Sequence, residues 1–170
     1  MTEPETPPCD DPRAALRLRG AEDCAAMALR LLQSARERVR ILPQYADLGY
    51  LGSAAVIDAL RALLLRSRRA RLDILLPADV ARDERGRPLW TLAQRLTSAV
   101  AVRRLAGQDA GLDEAWLTVD ERGYLHRPQA ARLEALASLE QPAQARELDR
   151  RFAALWQASE AEPELRRLDA

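Results

Sequence analysis

The chain has 170 residues, of which 26 are acidic, 26 basic and 48% hydrophobic, with no net charge. That length fits one domain whose core needs neither disulfide nor metal, and 31% charged residues is ordinary for a globular protein. The acidic, proline-containing start is unlike a signal peptide, and no apolar run approaches the ~18 residues of a membrane span, so a cytoplasmic protein is expected.

All 26 basic residues are arginine. No lysine is therefore present to form a Schiff base or to act as a point-charge phosphate ligand. Cys9 and Cys24 have no metal-binding spacing, and the single histidine, His126, argues against zinc. No cofactor motif is present. The acids Glu3, Glu5, Asp10 and Asp11 sit in a stretch without bases, which leaves residues 13–170 with an excess of four positive charges. So small an excess predicts no strong nucleic-acid binding.

Residues 1–12 read as a disordered acidic tail, and 13–170 as the domain. Arg13–Arg19 alternates weakly, as a short strand would. Over Ala21–Arg36 the residues Cys24, Met27, Ala28, Leu31 and Leu32 recur at helical spacing, with Glu22 and Asp23 suited to the first turn. Arg38–Leu42 predicts a strand stopped by Pro43, followed by a loop over Gln44–Gly52. Ser53 is a good N-cap for a helix with Val56, Ile57, Leu60, Leu63 and Leu64 on one face. Arg66, Arg68 and Arg69 suit its basic end. Leu72–Leu76 is an apolar strand, Ala78–Arg87 a loop, and Pro88 opens another helix facing inward through Leu89, Leu92, Ala93 and Leu96. Val100–Leu105 is a strand and Ala106–Gly111 a turn. Ala115–Val119 and Tyr124–Arg127, joined by a tight turn at Glu121–Gly123, form a hairpin. Leu133–Leu139 fits either a strand or a helix, and is read as a strand because the hairpin needs a neighbour. Pro142 opens the last helix, with Leu148, Phe152, Leu155 and Trp156 as its buried stripe.

Alternating strands and helices predict an α/β fold: a mixed, largely parallel sheet with helices on both faces. Ligands of such sheets bind beyond the carboxyl ends of the strands. The loops there offer Gln44, Tyr45, Asp47, Tyr50, Asp79 and Arg82. No phosphate loop and no nucleophile elbow is present.

The run Asp113-Glu-Ala-Trp-Leu-Thr-Val-Asp120, followed by Glu-Arg-Gly-Tyr, resembles the catalytic strand of the phospholipase D superfamily, whose pattern is His-x-Lys-x-x-x-x-Asp. Asp113 stands at the histidine position, Ala115 at the lysine position and Asp120 at the aspartate position. Val39-Arg-Ile-Leu-Pro-Gln-Tyr and Val56-Ile-Asp-Ala-Leu-Arg-Ala-Leu resemble that family's opening strand and helix, and Phe152-Ala-Ala-Leu-Trp156 its final helix. The resemblance spans roughly residues 20–160, one half of a two-motif enzyme. The chain also resembles a bacterial family of such half-domains, sometimes found beside acetyltransferase domains.

The resemblance implies a phospholipase D-like fold, and its departures imply lost chemistry. The family's histidine attacks phosphorus and its lysine holds the phosphoryl oxygens; aspartate and alanine do neither. Where the family has small residues near the phosphate, this chain has His126-Arg127-Pro128. The expectation is a pseudo-phosphodiesterase with no catalytic residue, no cofactor and no metal. It would act as a binding or regulatory module through self-association as a homodimer or through a partner protein, an acetyltransferase by resemblance only. The ligand-binding candidates are Gln44, Tyr45, Tyr50, Asp113, Asp120, His126 and Arg127. The alternative is an enzyme of altered chemistry on a phosphate-containing or other anionic substrate. That alternative requires Asp113, Asp120, His126 and Arg127 to converge in one concave pocket.

Overall fold

In the computed structural model, which describes residues 11–77 and 80–162, the local patterns become elements at close to their expected bounds. Strand β1 (Leu16–Arg19) leads into helix α1 (Ala21–Ser34), whose Cys24, Met27, Ala28, Leu31 and Leu32 are buried. Strand β2 (Arg38–Leu42) ends at Pro43. A short helix α2 (Leu48–Leu51) precedes α3 (Ala54–Arg66), where the Ser53 side chain accepts a hydrogen bond from the Val56 amide. Strand β3 (Arg71–Leu76), helix α4 (Arg87–Arg95) and strand β4 (Val100–Arg104) follow. Strands β5 (Ala115–Val119), β6 (Gly123–Arg127) and β7 (Glu134–Ser138) complete the expected set, before α5 (Pro142–Gln157) and a two-residue β8 (Glu160–Ala161).

The strands form one eight-stranded sheet in the order β1-β7-β6-β5-β2-β3-β4-β8. It is mixed, as expected, but less parallel than the alternation suggests. Only β2, β3 and β4 are parallel neighbours. The hairpin β5–β6 enters the sheet antiparallel beside β2, and β7 and β1 continue antiparallel beyond it. Several short elements escaped the sequence pattern, among them, within the described residues, four short turns of 3-10 helix, helix α2 and strand β8. Helix α2 is a single turn, and β8 is a two-residue exposed strand on β4. Neither is long enough to show a hydrophobic period.

Helices α1 to α4 share one core with the sheet. It contains Leu31, Leu60, Leu63 and Leu89 from the helices and Val39, Ile41, Leu72, Ile74, Leu117 and Leu125 from the strands. On the opposite face α5 packs alone: Ala145, Leu148 and Phe152 meet Leu42, Leu75, Leu105, Trp116 and Tyr124. Leu155 and Trp156 of the expected stripe are only partly buried there, with the Trp156 ring stacked on Phe152. Asp149 of α5, 6% exposed, accepts from Thr118 Oγ1 at 2.5 Å and pairs with Arg40 at 2.9 Å, which pins the helix across β5 and β2. No single helix among the described residues is long and apolar enough to cross a membrane.

Of the expected tail, residues 1–10, with Cys9 among them, lie outside the described residues. Asp11 and Pro12 begin a turn that caps the sheet: Ser138 Oγ donates to the Pro12 carbonyl at 3.1 Å, and Gln141 Nε2 to the Arg13 carbonyl at 3.2 Å.

Between α2 and α3 the chain passes very close to the turn before α4. A Cβ built on Gly52 would collide with the carbonyl oxygen of Arg85 and lie 3.1 Å from that of Leu48. Backbone atoms cannot rotate aside as a side chain can, so Gly52→Ala is expected to lower stability by about 1–3 kcal/mol through overpacking. Urea unfolding monitored by the tryptophans measures the loss.

Candidate functional site

Strands β2, β3, β4 and β6 finish at the same end of the sheet, where β5 begins. Ala115 and Arg127 are directly paired across the hairpin, so their side chains share the face covered by α1 to α4. The Arg127 side chain is 0% exposed. Its Nη2 donates to Asp47 Oδ2 at 2.6 Å, and its Nη1 donates to the carbonyls of Ala130, Arg132 (3.3 Å) and Gln129 (3.5 Å). Asp47 is itself fully engaged: Tyr50 Oη donates to Oδ1 at 2.6 Å and the Gln44 amide to Oδ2 at 2.8 Å. The space left beside Ala115, Asp47 and Tyr50 is a void of about 10 Å³, no larger than a single water needs.

Burial, reinforced by the Asp47 carboxylate, pushes the Tyr50 hydroxyl well above its ordinary value. Burial also raises the Cys24 thiol, with Asp47 adding to the effect. Gln44 faces inward, its Nε2 donating to the carbonyls of Leu112 at 2.8 Å and Glu114 at 3.0 Å. Tyr45 is 45% exposed. Asp79 lies outside the described residues.

His126 is on the other face of the same strand. Its Nε2 stands 2.8 Å from Glu114 Oε2, and a carboxylate can only accept, so Nε2 carries the proton. Arg151 of α5 holds Glu114 through both guanidinium nitrogens, at 3.1 and 2.6 Å, and lies over the Trp116 ring at 4.8 Å. The imidazole meets Trp116 edge-on. The Arg151 hydrogen bonds, helped by the one from His126, hold the Glu114 carboxyl below its ordinary value.

The remaining candidates are dispersed. Asp113 is exposed at the start of β5, where its carbonyl accepts from the Ala130 amide. Asp120 is at the far end of the strand. Its carboxylate accepts from three successive backbone amides, Arg36 at 2.8 Å, Glu37 at 2.9 Å and Arg38 at 2.7 Å. It therefore closes the link between α1 and β2, and it does so with φ of 52° in the left-handed region, followed by Glu121 at 57°. Asp is among the residues that adopt that region, and here the three hydrogen bonds to a distant segment hold it there. Asp113, Asp120, His126 and Arg127 thus occupy two ends and two faces of the sheet and do not converge. Among the described residues no group of three His, Cys, Asp or Glu is placed to hold a metal ion.

Sequence reasoning missed Asp47 as the partner of Arg127, and Glu114 and Arg151 as partners of His126. Glu114 did carry a signal: it occupies a position between two motif residues, and the hairpin register sets it near His126.

Replacing Arg127 by Met would leave the Asp47 charge buried without its cation, and is expected to cost about 3–5 kcal/mol. Adding Asp47→Leu to that variant should recover part of the loss, which a double-mutant cycle in urea resolves. The Glu114 carboxyl titrates below its ordinary 4.5 in the folded chain. Its stabilisation is therefore complete above the carboxylate range and lost as pH falls through the folded value. Glu114→Gln should flatten the acid limb of the stability curve below pH ~4.5.

The fold resembles known structures at low sequence identity. TrmBL2, described as an archaeal chromatin protein with a novel mode of DNA binding, matches with a TM-score of 0.64 at 14% identity over 87% of this chain. This chain spans 54% of that protein. Nuc from Salmonella typhimurium, a phospholipase D family member, matches with a TM-score of 0.61 at 11% identity, over 88% of this chain and 97% of that one. NucT from Helicobacter pylori gives 0.58 at 14% identity, over 88% and 98%. These likenesses establish a phospholipase D-like α/β fold. No curated protein matches in sequence. The model of one family matches residues 20–168, and the chain belongs to that family, described as a domain of unknown function, DUF7931.

Proposed function

We propose that this chain is a non-catalytic binding or regulatory module on the phospholipase D-like fold, acting through association with protein. One observation carries the reading: the space beside Ala115 is filled by Arg127, and the guanidinium is already bound to Asp47 and to backbone carbonyls. A clamp on a phosphoryl group needs free donors aimed at the reacting oxygens. Arg127 has its terminal nitrogens committed within the protein. Asp113 offers a carboxylate where the resembled enzymes place an imidazole, and a carboxylate repels a phosphodiester. His126 is on the opposite face with Nε2 bonded to Glu114, so it does not replace the missing nucleophile in the same geometry.

A second reading, an enzyme of altered chemistry on an anionic substrate, is favoured by one feature. Glu114, His126 and Arg151 bring a carboxylate, an imidazole and a guanidinium within hydrogen-bond distance. Such a set also occurs as a structural tie. Here it joins α5 to the hairpin, with both Glu114 oxygens engaged by Arg151 and His126. The DNA binding ascribed to TrmBL2 stays with that protein. Nucleic-acid affinity is expected to be weak for this chain, because acids interleave its arginines. Self-association as a homodimer and docking to a different protein are the two modes proposed; light scattering across a concentration series separates them.

Purified protein is expected to show no turnover above background with an aryl phosphodiester or with phosphatidylcholine. The paired substitution Asp113→His/Ala115→Lys should restore none, because Arg127 and Asp47 still fill the space. Turnover by the unmodified chain that disappears in His126→Ala would overturn the proposal.

A further inference from the structure

Helix α5 covers only part of its face of the sheet. One cross-sheet row on that face runs Leu42, Trp116, His126, Leu136, Arg17. Leu42 and Trp116 lie buried beneath α5. Beyond His126 the cover ends: Leu136 is 40% exposed and Arg17 is exposed. In the next row Arg19 faces Glu134. The loop after β6, through Pro128 and Arg132, walls this strip and leaves a groove of about 300 Å³.

The groove has a definite charge. Arg17, Arg19 and Arg132 line it, and none forms an ion pair among the described residues. Glu134 is the one acid in the lining. Some arginines elsewhere pair with acids, as Arg38 does with Asp73, Arg85 with Asp83, Arg104 with Glu160 and Arg151 with Glu114; the groove differs in gathering three arginines around one carboxylate. A strip with an apolar floor, three guanidinium groups and a single carboxylate, Glu134, among its described lining residues carries a net positive charge and fits an acidic, extended peptide segment.

The chain contains such a segment. Residues 1–10 include Glu3, Glu5 and Asp10 and no base. They join the fold at Asp11–Pro12, and Pro12 is held by the hydroxyl of Ser138. Ser138 is on the same side of β7 as Leu136 and Glu134, two and four positions along, so the chain enters the fold on the groove side. From Ser138 to Glu134 is about 13 Å along the strand, at ~3.3 Å per residue. Ten residues can reach up to ~33 Å. We propose that residues 1–10 dock in this groove, their carboxylates meeting Arg17, Arg19 and Arg132, and complete the cover that α5 leaves unfinished. The inference is independent of whether the Arg127 end of the sheet has any activity.

Cys24 is 1% exposed, so a thiol-directed spin label on the folded full chain reports Cys9. Paramagnetic broadening is expected at the amides of Arg17–Arg19 and Glu134–Leu136, and at the imidazole protons of His126, the only histidine. It should be lost in Arg17→Glu/Arg19→Glu/Arg132→Glu, which alters only exposed side chains, and weakened at ~0.5 M salt by screening. A second variant, Glu3→Gln/Glu5→Gln/Asp10→Asn, leaves the folded part untouched and should lose the broadening equally. Broadening spread evenly over the surface, or unchanged by either variant, would overturn the proposal. Broadening transferred from a spin-labelled copy to an isotope-labelled copy without spin label would also overturn it, since the segment would then be docking on a second chain.

Discussion

A guanidinium buried without water must be neutralised and hydrogen-bonded, because an unpaired charge in the interior costs several kcal/mol. Arg127 meets that requirement at its two terminal nitrogens, though not at Nε, by drawing together parts of the chain that are otherwise far apart. Asp47 comes from the segment between β2 and α2, and the accepting carbonyls come from the loop between β6 and β7. The Gln44 amide and the Tyr50 hydroxyl then complete Asp47, and the Gln44 side chain ties the same segment to the strand entering the hairpin. One ion pair thereby sets the shape of the end of the sheet where an open α/β fold ordinarily keeps its ligand crevice. A sheet of this architecture with its crevice occupied by its own side chains is a scaffold whose remaining surfaces are free to take on other work.

The opposite face follows a different constraint. A single helix must cover it, and α5 is held where polar ties place it. Asp149 binds Arg40 and Thr118, and Arg151 binds Glu114, which in turn binds His126. Those contacts fix the helix over β2, β5 and β6. Because one helix is about 10 Å wide and neighbouring strands are about 4.8 Å apart, it spans two or three strands and leaves the β7–β1 margin beyond its reach. The exposure of Leu136 on β7 is a consequence of that geometry.

The far end of β5 shows how a motif position changes meaning once it is seen in three dimensions. Asp120 matches the aspartate of the resembled pattern, yet here its carboxylate serves three backbone amides at the start of β2. Two of those amides precede β2 and the third opens it, and a carboxylate fixed by a left-handed turn satisfies them together. The role is architectural and requires nothing of Asp113 or Ala115 at the other end.

Much of the fold was legible in the residues because it is local. Val56, Ile57, Leu60, Leu63 and Leu64 define a helix by spacing alone, Ser53 its start, and Pro43 the end of β2. The tight turn before Gly123 marks the hairpin. The elements that escaped, α2 and β8 among them, are too short to carry a period. Strand direction was less legible: the alternation of strands and helices predicted more parallel pairing than the inserted hairpin allows. The site was legible only as a set of residue types at motif positions. That Arg127 is neutralised by a carboxylate 80 residues away, that His126 faces the other side of the sheet and that Gln44 turns inward were decided by the tertiary structure. Spacing governs which residues share a face of one helix or strand, whereas the partner of a buried charge is whichever distant segment the packing brings within three ångströms.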